Sequence, residues 1–272
     1  TESGFEYNVG VNMSTIRNRM TKLNGGTPIS DGPFRNGSMY LTYTNEGMPI
    51  GAFWGYKTDG LIQTQEQLNA VKRADFQPNA ELGDVLFVDT NGDGKLDSSD
   101  RCMIGNPIPD IIYGINMGMA WKGFDLNLQF GGTIGNQIFN AMRYYTYFPN
   151  DITNKDRALM NYWTPNNTNT DIPRLTATDV NDNDRFSDMN VENGTYFRLR
   201  NAQLGYTLPA SLTQRIKLQK VRFYVSGQNL FTISSYSGMD PEVGQSSSLS
   251  RGIDYGIYPQ NISFTGGINV TF

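Results

Sequence analysis

Twelve residues, Asp89 to Asp100 (DTNGDGKLDSSD), carry oxygen donors at a spacing that can wrap one hard cation. Counting from Asp89, side-chain oxygens fall at positions 1, 3, 5, 9 and 12, on Asp89, Asn91, Asp93, Asp97 and Asp100. Lys95, at position 7, would add its backbone carbonyl, and Gly94 stands at position 6, where such a loop turns sharply. Ca²⁺ takes about 6–8 oxygens at roughly 2.3–2.6 Å, so the donor count favours Ca²⁺ over Mg²⁺. Asp100 stands where a bidentate Glu is usual, and its shorter side chain requires a tighter loop. The flanking GDVLFVD is strand-like, where an entering helix would be usual. An acidic surface turn without a metal remains the plainer alternative, because Asp, Asn and Gly are ordinary turn residues. The joint fit of five donors and the glycine favours a structural cation. A catalytic metal is not supported, since nothing nearby supplies an open position with a general base.

Other chemistries are excluded more directly. The chain of 272 residues contains no His, which removes the commonest general base and metal ligand. Its single cysteine, Cys102, has neither a disulfide partner nor a His to activate it, and reads as a buried structural thiol. The formal net charge is −4, with 22 basic and 26 acidic residues and no basic patch, so nucleic acid is not an expected partner. No enzymatic activity is expected.

The elements around the acidic loop are strands of unusual length. From Asn261 to Phe272, Ile262, Phe264, Gly266, Ile268, Val270 and Phe272 face one way, while Asn261, Ser263, Thr265, Gly267, Asn269 and Thr271 face the other. The pattern recurs at Phe5, Tyr7, Val9, Val11 and Met13, at Phe124, Leu126, Leu128 and Phe130, and at Val221, Phe223 and Val225. A strand tilted across a bilayer needs about 9–11 residues, whereas soluble strands more often run about 5–6. Apolar-out, polar-in strands of this length fit a membrane β-barrel. The mean hydropathy of −0.46 does not oppose this, because a polar lumen and polar loops dilute the average. Aromatic residues at 12% suit interfacial girdles, although the cores of β-sandwiches are aromatic-rich too.

Long strands are expected at about 5–16, 48–58, 110–121, 123–134, 195–207, 219–231 and 261–272, with an eighth near 37–45. Lys122 and Gly123 mark a tight hairpin, and Leu208 to Leu218, after the turn at Pro209, can hold a helical turn. Alternation slips between Leu199 and Leu204, the mark of a bulge. Arg198 and Arg200 are expected to face the lumen and to pair with loop carboxylates. Between the strands lie long polar segments, one with a short helix opened by Thr64 and capped by Gln67, with Leu68 and Val71 on its apolar stripe. Short turns alternating with long loops give the asymmetry of an outer-membrane barrel. No leader segment precedes the first strand pattern, which suggests a C-terminal piece of a longer polypeptide.

Four connected stretches carry a family resemblance: Gly83–Asn140 (GDVLFVDTNGDGKLDSSDRCMIGNPIPDIIYGINMGMAWKGFDLNLQFGGTIGNQIFN), Asn193–Pro209 (NGTYFRLRNAQLGYTLP), Val221–Gly244 and Gly252–Phe272. Together they resemble the C-terminal part of SusC/RagA-like TonB-dependent outer-membrane transporters. The resemblance implies an all-β fold, a transmembrane antiparallel barrel segment of about eight C-terminal strands from a plugged barrel of about 22. It implies residues 1–272 as barrel, an acidic calcium-type loop within 84–105, and neither plug nor TonB-interaction segment in this stretch. It implies energy-dependent import across the bacterial outer membrane of oligosaccharides, or of peptides in some members. The implied partners are a SusD-like lipoprotein, TonB acting through the N-terminal part, the remainder of the barrel and outer-membrane lipid. Ile268, Val270 and Phe272 would then form the signal read by the barrel-insertion machinery.

Aromatic residues on long loops can stack on sugar rings. Tyr144, Tyr145, Tyr147 and Phe148 with Trp163 form one candidate group for substrate or lid contact, and Tyr236, Tyr255 and Tyr258 another. Girdle or packing roles compete for each. A soluble β-sandwich glycan-binding module with a structural calcium site is the alternative reading. A glycoside hydrolase would need a carboxylate pair across a cleft, and no such pair can be assigned.

Overall fold

The computed structural model describes residues 4–148, 154–244 and 247–272. Alternating residues build the first long strand, β1 (Phe5–Thr15). A long connection follows with short strands β2 (Ile29–Phe34), β3 (Met39–Thr44), β4 (Ala52–Gly55), β5 (Thr58–Leu61), β6 (Val85–Phe87) and β7 (Cys102–Gly105), and helix α1 (Gln65–Arg73) between β5 and β6. The Thr64–Gln67 capping box opens α1, with each side chain bonded to the other's backbone. The hairpin β8 (Ile111–Trp121) and β9 (Phe124–Ile134) comes next. Lys122 and Gly123 join it at φ of 47° and 88°, the positive pair that matches the twist of the flanking strands. A second long connection holds β10 (Gln137–Asn140), α2 (Ala141–Tyr147) and β11 (Val191–Asn193). Strands β12 (Tyr196–Thr207) and β13 (Lys220–Ser234) are joined through the short helix α3 (Ala210–Thr213). A third connection carries β14 (Ile253–Asp254), and β15 (Ser263–Thr271) follows.

Six of these strands form one antiparallel sheet in the order β1-β8-β9-β12-β13-β15. Its two faces are chemically opposite. Val9, Met117, Leu128, Ala202, Gly227 and Phe264 lie in one cross-strand row. The rows on either side of it, on the same face, are Tyr7-Met119-Leu126-Leu204-Val225-Gly266 and Val11-Ile115-Phe130-Leu199-Phe231. The opposite face shows Asn8-Gly118-Asn127-Gln203-Ser226-Thr265 and Gly10-Asn116-Gln129-Asn201-Gln228-Ser263. The apolar face is bare: Tyr7, Val9, Val11 and Met13 are exposed by 70, 55, 69 and 64%. So large an uncovered apolar surface needs an apolar neighbour.

Aromatic residues bound this surface at both ends. Phe5, Trp121, Phe124, Tyr206 and Phe223 share the row at the short-turn end, and Tyr113 and Phe197 share the row at the long-loop end. Eight residues separate Trp121 from Tyr113, about 26 Å along a strand and less after tilt, which matches an apolar band roughly 25 Å tall. The outer edges of β1 and β15 are unpaired among the described residues.

The polar face is held by charge pairing. Arg222 reaches Asp125 through Nε to Oδ1 at 2.8 Å and Gln203 at 3.1 Å. The guanidinium lies across Gly205, where an added Cβ would meet both Asp125 and Arg222.

Two expected strands are not part of this sheet. The stretches near 37–45 and 48–58 become β3 and β4 of a separate four-stranded sheet, β2-β3-β4-β7. They are short, at 6 and 4 residues, and too short to span a bilayer. Cys102 on β7 is half-buried, not fully buried, because it lies at the end of that small sheet. The bulge expected after Leu199 is present in the pairing of β12 with both neighbours.

If the bare face meets hydrocarbon, its central row is the most sensitive. Val9→Arg should destabilise the full-length barrel by about 2–4 kcal/mol, whereas Asn127→Arg on the polar face should cost about 1 kcal/mol or less. Urea titration of the heat-modifiable gel shift measures both, and equal costs would contradict the assignment of faces.

Candidate functional site

All three long connections leave the same end of the sheet, and there they fold together into one cap. Phe34, Leu41 and Phe53 from the first connection, Phe139, Tyr144 and Phe186 from the second, and Ile253 from the third share one buried core. Strand β10 pairs parallel with β14, joining the second connection to the third. A second core gathers Leu61, Phe76, Val85, Phe87 and Trp163. Buried amides complete the join. Asn183 accepts from the Val85 amide at 2.8 Å and donates to Asp84 at 3.0 Å, and Gln77 donates to Asn181 at 3.0 Å. Arg174 closes on the fully buried Asp84 with Nε at 2.7 Å.

The cap is latched to the wall from inside. Arg198 of β12 is buried and binds Asp240 and, at 2.9 Å, Glu242 of the third connection. Arg200 reaches Glu242 at 3.1 Å. Both arginines therefore face inward and pair with loop carboxylates, as the alternation required. Burial pushes the Asp240 carboxyl up, but the amides of Gln260 and Glu242 and the Arg198 guanidinium outweigh it and hold the group below its usual range. Between the latch and the wall lies a cavity of about 440 Å³, lined largely by Ile16, Ile50, Pro107, Ile108, Ile112 and Val243, with Glu242 and Arg251 among its polar groups.

The aromatic candidates divide by burial. Tyr144 is a core residue whose hydroxyl donates to the Asp184 carbonyl at 2.8 Å and accepts from Arg35 at 3.1 Å. Burial, with the Asp184 carboxylate nearby, pushes its phenol well up. Phe148 packs in the same core. Trp163 lies in the second core and donates its indole N–H to Gln63 at 2.8 Å. Tyr236 is buried against Asp254, to which it donates at 2.6 Å. These rings hold the cap together and cannot stack on a ligand without unpacking it. Tyr145 and Tyr147 are half-buried, and Tyr255 and Tyr258 are exposed by 46 and 87%. The tyrosines thus do not form one contact surface. The sequence carried no signal separating core from surface tyrosines, because both sit in polar segments.

The acidic loop is closed by its own backbone. Asp89 accepts from the amides of Gly92 at 2.7 Å and Gly94 at 2.9 Å, which hold its carboxyl below the usual range. Asp93 accepts from Lys95 at 2.8 Å, Asp97 from Ser99 at 2.7 Å, and Asn91 from Asp93 at 2.8 Å. Asp100 is fully buried and ties both loop ends, accepting from Thr90 at 3.0 Å and Asp97 at 2.9 Å. Among the described residues, no three Asp, Glu, Cys or His side chains converge as metal ligands would. The donor set is one a hard cation accepts, but its carboxylates are turned toward the loop's own amides.

Comparison with known proteins adds to this geometry. TonB-dependent receptor P3 of Formosa agariphila is 36% identical over 284 aligned residues, covering 100% of this chain and 27% of the relative. TonB-dependent receptor SusC of Bacteroides thetaiotaomicron is 27% identical over 98% of the chain and 24% of its own length. The structure of the RagAB peptide transporter superposes with a TM-score of 0.74 at 24% identity, over 99% of this chain and 27% of that one. No family model matches. The chain thus spans about a quarter of the length of the curated relatives it matches.

Fold and site together define a stretch of outer-membrane barrel wall carrying a folded cap at one end. Along its whole length the chain is similar to TonB-dependent receptors of the SusC type.

The latch should be testable on its own. Replacing one partner of a buried ion pair strands the other, at a cost of about 3–5 kcal/mol. Asp240→Asn should therefore release the third connection and expose 235–260 to limited proteolysis while the wall stays folded. A carboxyl held low stabilises above its unfolded value and loses that stabilisation as pH falls through its folded value. The wild-type segment should thus become protease-sensitive only at pH below about 4. Unchanged cleavage in the variant would contradict the latch.

Proposed function

We propose that this chain forms the C-terminal barrel segment of a TonB-dependent outer-membrane importer that takes up oligosaccharides together with a SusD-like lipoprotein. The carrying observation is the six-stranded sheet itself, bare and apolar on one face, polar on the other, with all three long connections folded at one end. In this reading the missing neighbours of β1 and β15 come from the rest of the same polypeptide. Lipid cannot satisfy an open sheet edge. Substrate passes along the polar face when the plug moves on coupling to TonB. Ile268, Val270 and Phe272, on the apolar face at the end of β15, act as the insertion signal. Tyr145, Tyr147, Tyr255 and Tyr258 supply aromatic surface to substrate or lid.

Peptide substrates are the second reading, favoured by the cavity beside the latch. Its lining of isoleucine, valine and proline suits apolar side chains better than sugar hydroxyls. Uptake of labelled oligosaccharides and oligopeptides by cells with and without the full-length receptor separates the two. Import of either must need the receptor and collapse with a protonophore, and receptor-independent uptake of both would refute the proposal.

We further propose that the acidic loop binds Ca²⁺ as a structural ion through Asp89, Asn91, Asp93, the Lys95 carbonyl, Asp97 and Asp100. Millimolar Ca²⁺ should raise the melting temperature of the detergent-solubilised full-length protein by a few degrees. Asp93→Asn should abolish that shift, and a wild-type protein indifferent to Ca²⁺ and chelator would remove the ion from the account.

A further inference from the structure

The outer apolar column of β1 does not stop at the aromatic row. Tyr7, Val9, Val11 and Met13 lead through Thr15 into Arg17 and Arg19. Both cations are exposed, and among the described residues neither forms an ion pair or side-chain hydrogen bond, although the Arg19 guanidinium lies beside Gly47. Their orientation follows from their neighbours. Ile16 and Asn18 turn inward, since both line the cavity that also holds Thr133, Tyr196 and Glu242. In an extended segment, Arg17 and Arg19 must then point outward, on the side of the bare apolar face.

The segment is also fixed in place. The Ile16 amide donates to the Asp110 carbonyl at 2.9 Å, Met20 exchanges backbone hydrogen bonds with Met48 and Gly47, and Asn18 accepts from the Ile50 amide at 2.8 Å. The nearby Glu46 is occupied with the Leu23 amide at 2.9 Å. The cations are therefore presented by an ordered edge.

Their height matters. Arg17 lies four residues beyond Met13, which shares the row of Tyr113 and Phe197. Four residues rise about 13 Å along a strand, and tilt reduces this to roughly 10 Å above the edge of the apolar band. That height is within the headgroup layer or just above it, and long cationic side chains there can reach down to phosphate while their stems lie along apolar surface.

We propose that Arg17 and Arg19 form a headgroup clamp for a phosphorylated lipid of the leaflet on the loop-bearing side. The acyl chains of that lipid lie on the Val9–Met13 column. Charge complementarity and continuity with the lipid-facing column carry the assignment. It rests on the membrane-wall reading, but on no assumption about what the receptor imports.

The test uses the full-length receptor in detergent, examined by native mass spectrometry with added lipid A in its phosphorylated and phosphatase-treated forms. Wild type should retain phosphorylated lipid A and lose it as salt rises, while the dephosphorylated form should not be retained. Neutralising the cations as Arg17→Gln and Arg19→Gln should reduce retention about fivefold for each charge removed. Lys72→Gln, on the cap helix α1, should change nothing. Arg17→Lys with Arg19→Lys should keep retention, which separates charge loss from misfolding. Equal retention of the two lipid A forms by wild type would overturn the clamp, as would full retention by the folded double variant. Displacement of lipid A by inorganic phosphate at comparable concentration would instead assign a free-anion site and also overturn it. None of these outcomes bears on import, which the uptake assay reads separately.

Discussion

Hydrocarbon offers no partner to a peptide group, and this constraint explains most of the structure. Each amide and carbonyl in the apolar band has to find its partner in an adjacent strand, so the wall strands are long, antiparallel and in unbroken register from Phe5 to Thr15 against Trp121 to Ile111. Register in turn decides chemistry. A one-residue slip would turn every apolar side chain inward and every amide toward lipid. The wall tolerates the interruption in β12 because that interruption preserves the faces. Phe197 and Leu199 point outward before the bulge at Arg200, and Ala202, Leu204 and Tyr206 point outward after it. The extra residue switches the alternation so that odd and even positions reach the same lipid-facing surface.

That switch also concentrates charge. Arg198, Arg200 and Asn201 all fall on the inner side near the bulge, where the wall meets the cap. Opposite them, β13 carries its own irregularity at Asn229, with φ of 52°, and Leu230 packs over the space left by Gly227. The outer face stays filled while the inner face gains room for Glu242 and Asp240. A buried arginine with two carboxylates contributes little net stability, because desolvation offsets the attraction. Its effect is positional. It fixes where the third connection crosses the lumen mouth.

The wall was legible in the sequence because its signal is local. Alternation, a Lys-Gly turn and the slip after Leu199 each involve residues close in the chain, and all three reappear at the expected places. The capping box at Thr64 and Gln67 is local as well. The cap was not legible, because its core joins residues far apart, such as Phe34 with Phe139 and Ile253. In sequence, Phe34 is one aromatic in a Gly- and Pro-rich segment. The stretch DVNDNDRFSD illustrates the same limit. It looks like a solvated loop, yet Asn181 and Asn183 are buried and hold the first connection to the second. Strands β3 and β4 have wall-like composition, and only their shortness and their partners separate them from the wall.

A cap built from three connections has a consequence for motion. Each connection begins and ends on a wall strand, so the cap cannot leave the lumen mouth as a unit without straining the wall. Parts of it can move separately only where one connection is held by few contacts. The third connection enters the shared core through Ile253, pairs through β14 with β10, and touches the wall through Arg198 and Arg200. Gly51 packs directly against the Leu249 backbone, and Thr42 donates to the Leu249 carbonyl at 2.6 Å, so its middle is tied to the first connection as well. The segment from Asp240 to Gly244, between the latch and that tie, is therefore the part of the cap whose position depends most on one ion-pair cluster. It also forms one side of the apolar cavity, through Pro241, Glu242 and Val243. Any ligand that fills the cavity and pairs with Arg198 or Arg200 would compete with Asp240 and Glu242 for the same guanidinium groups.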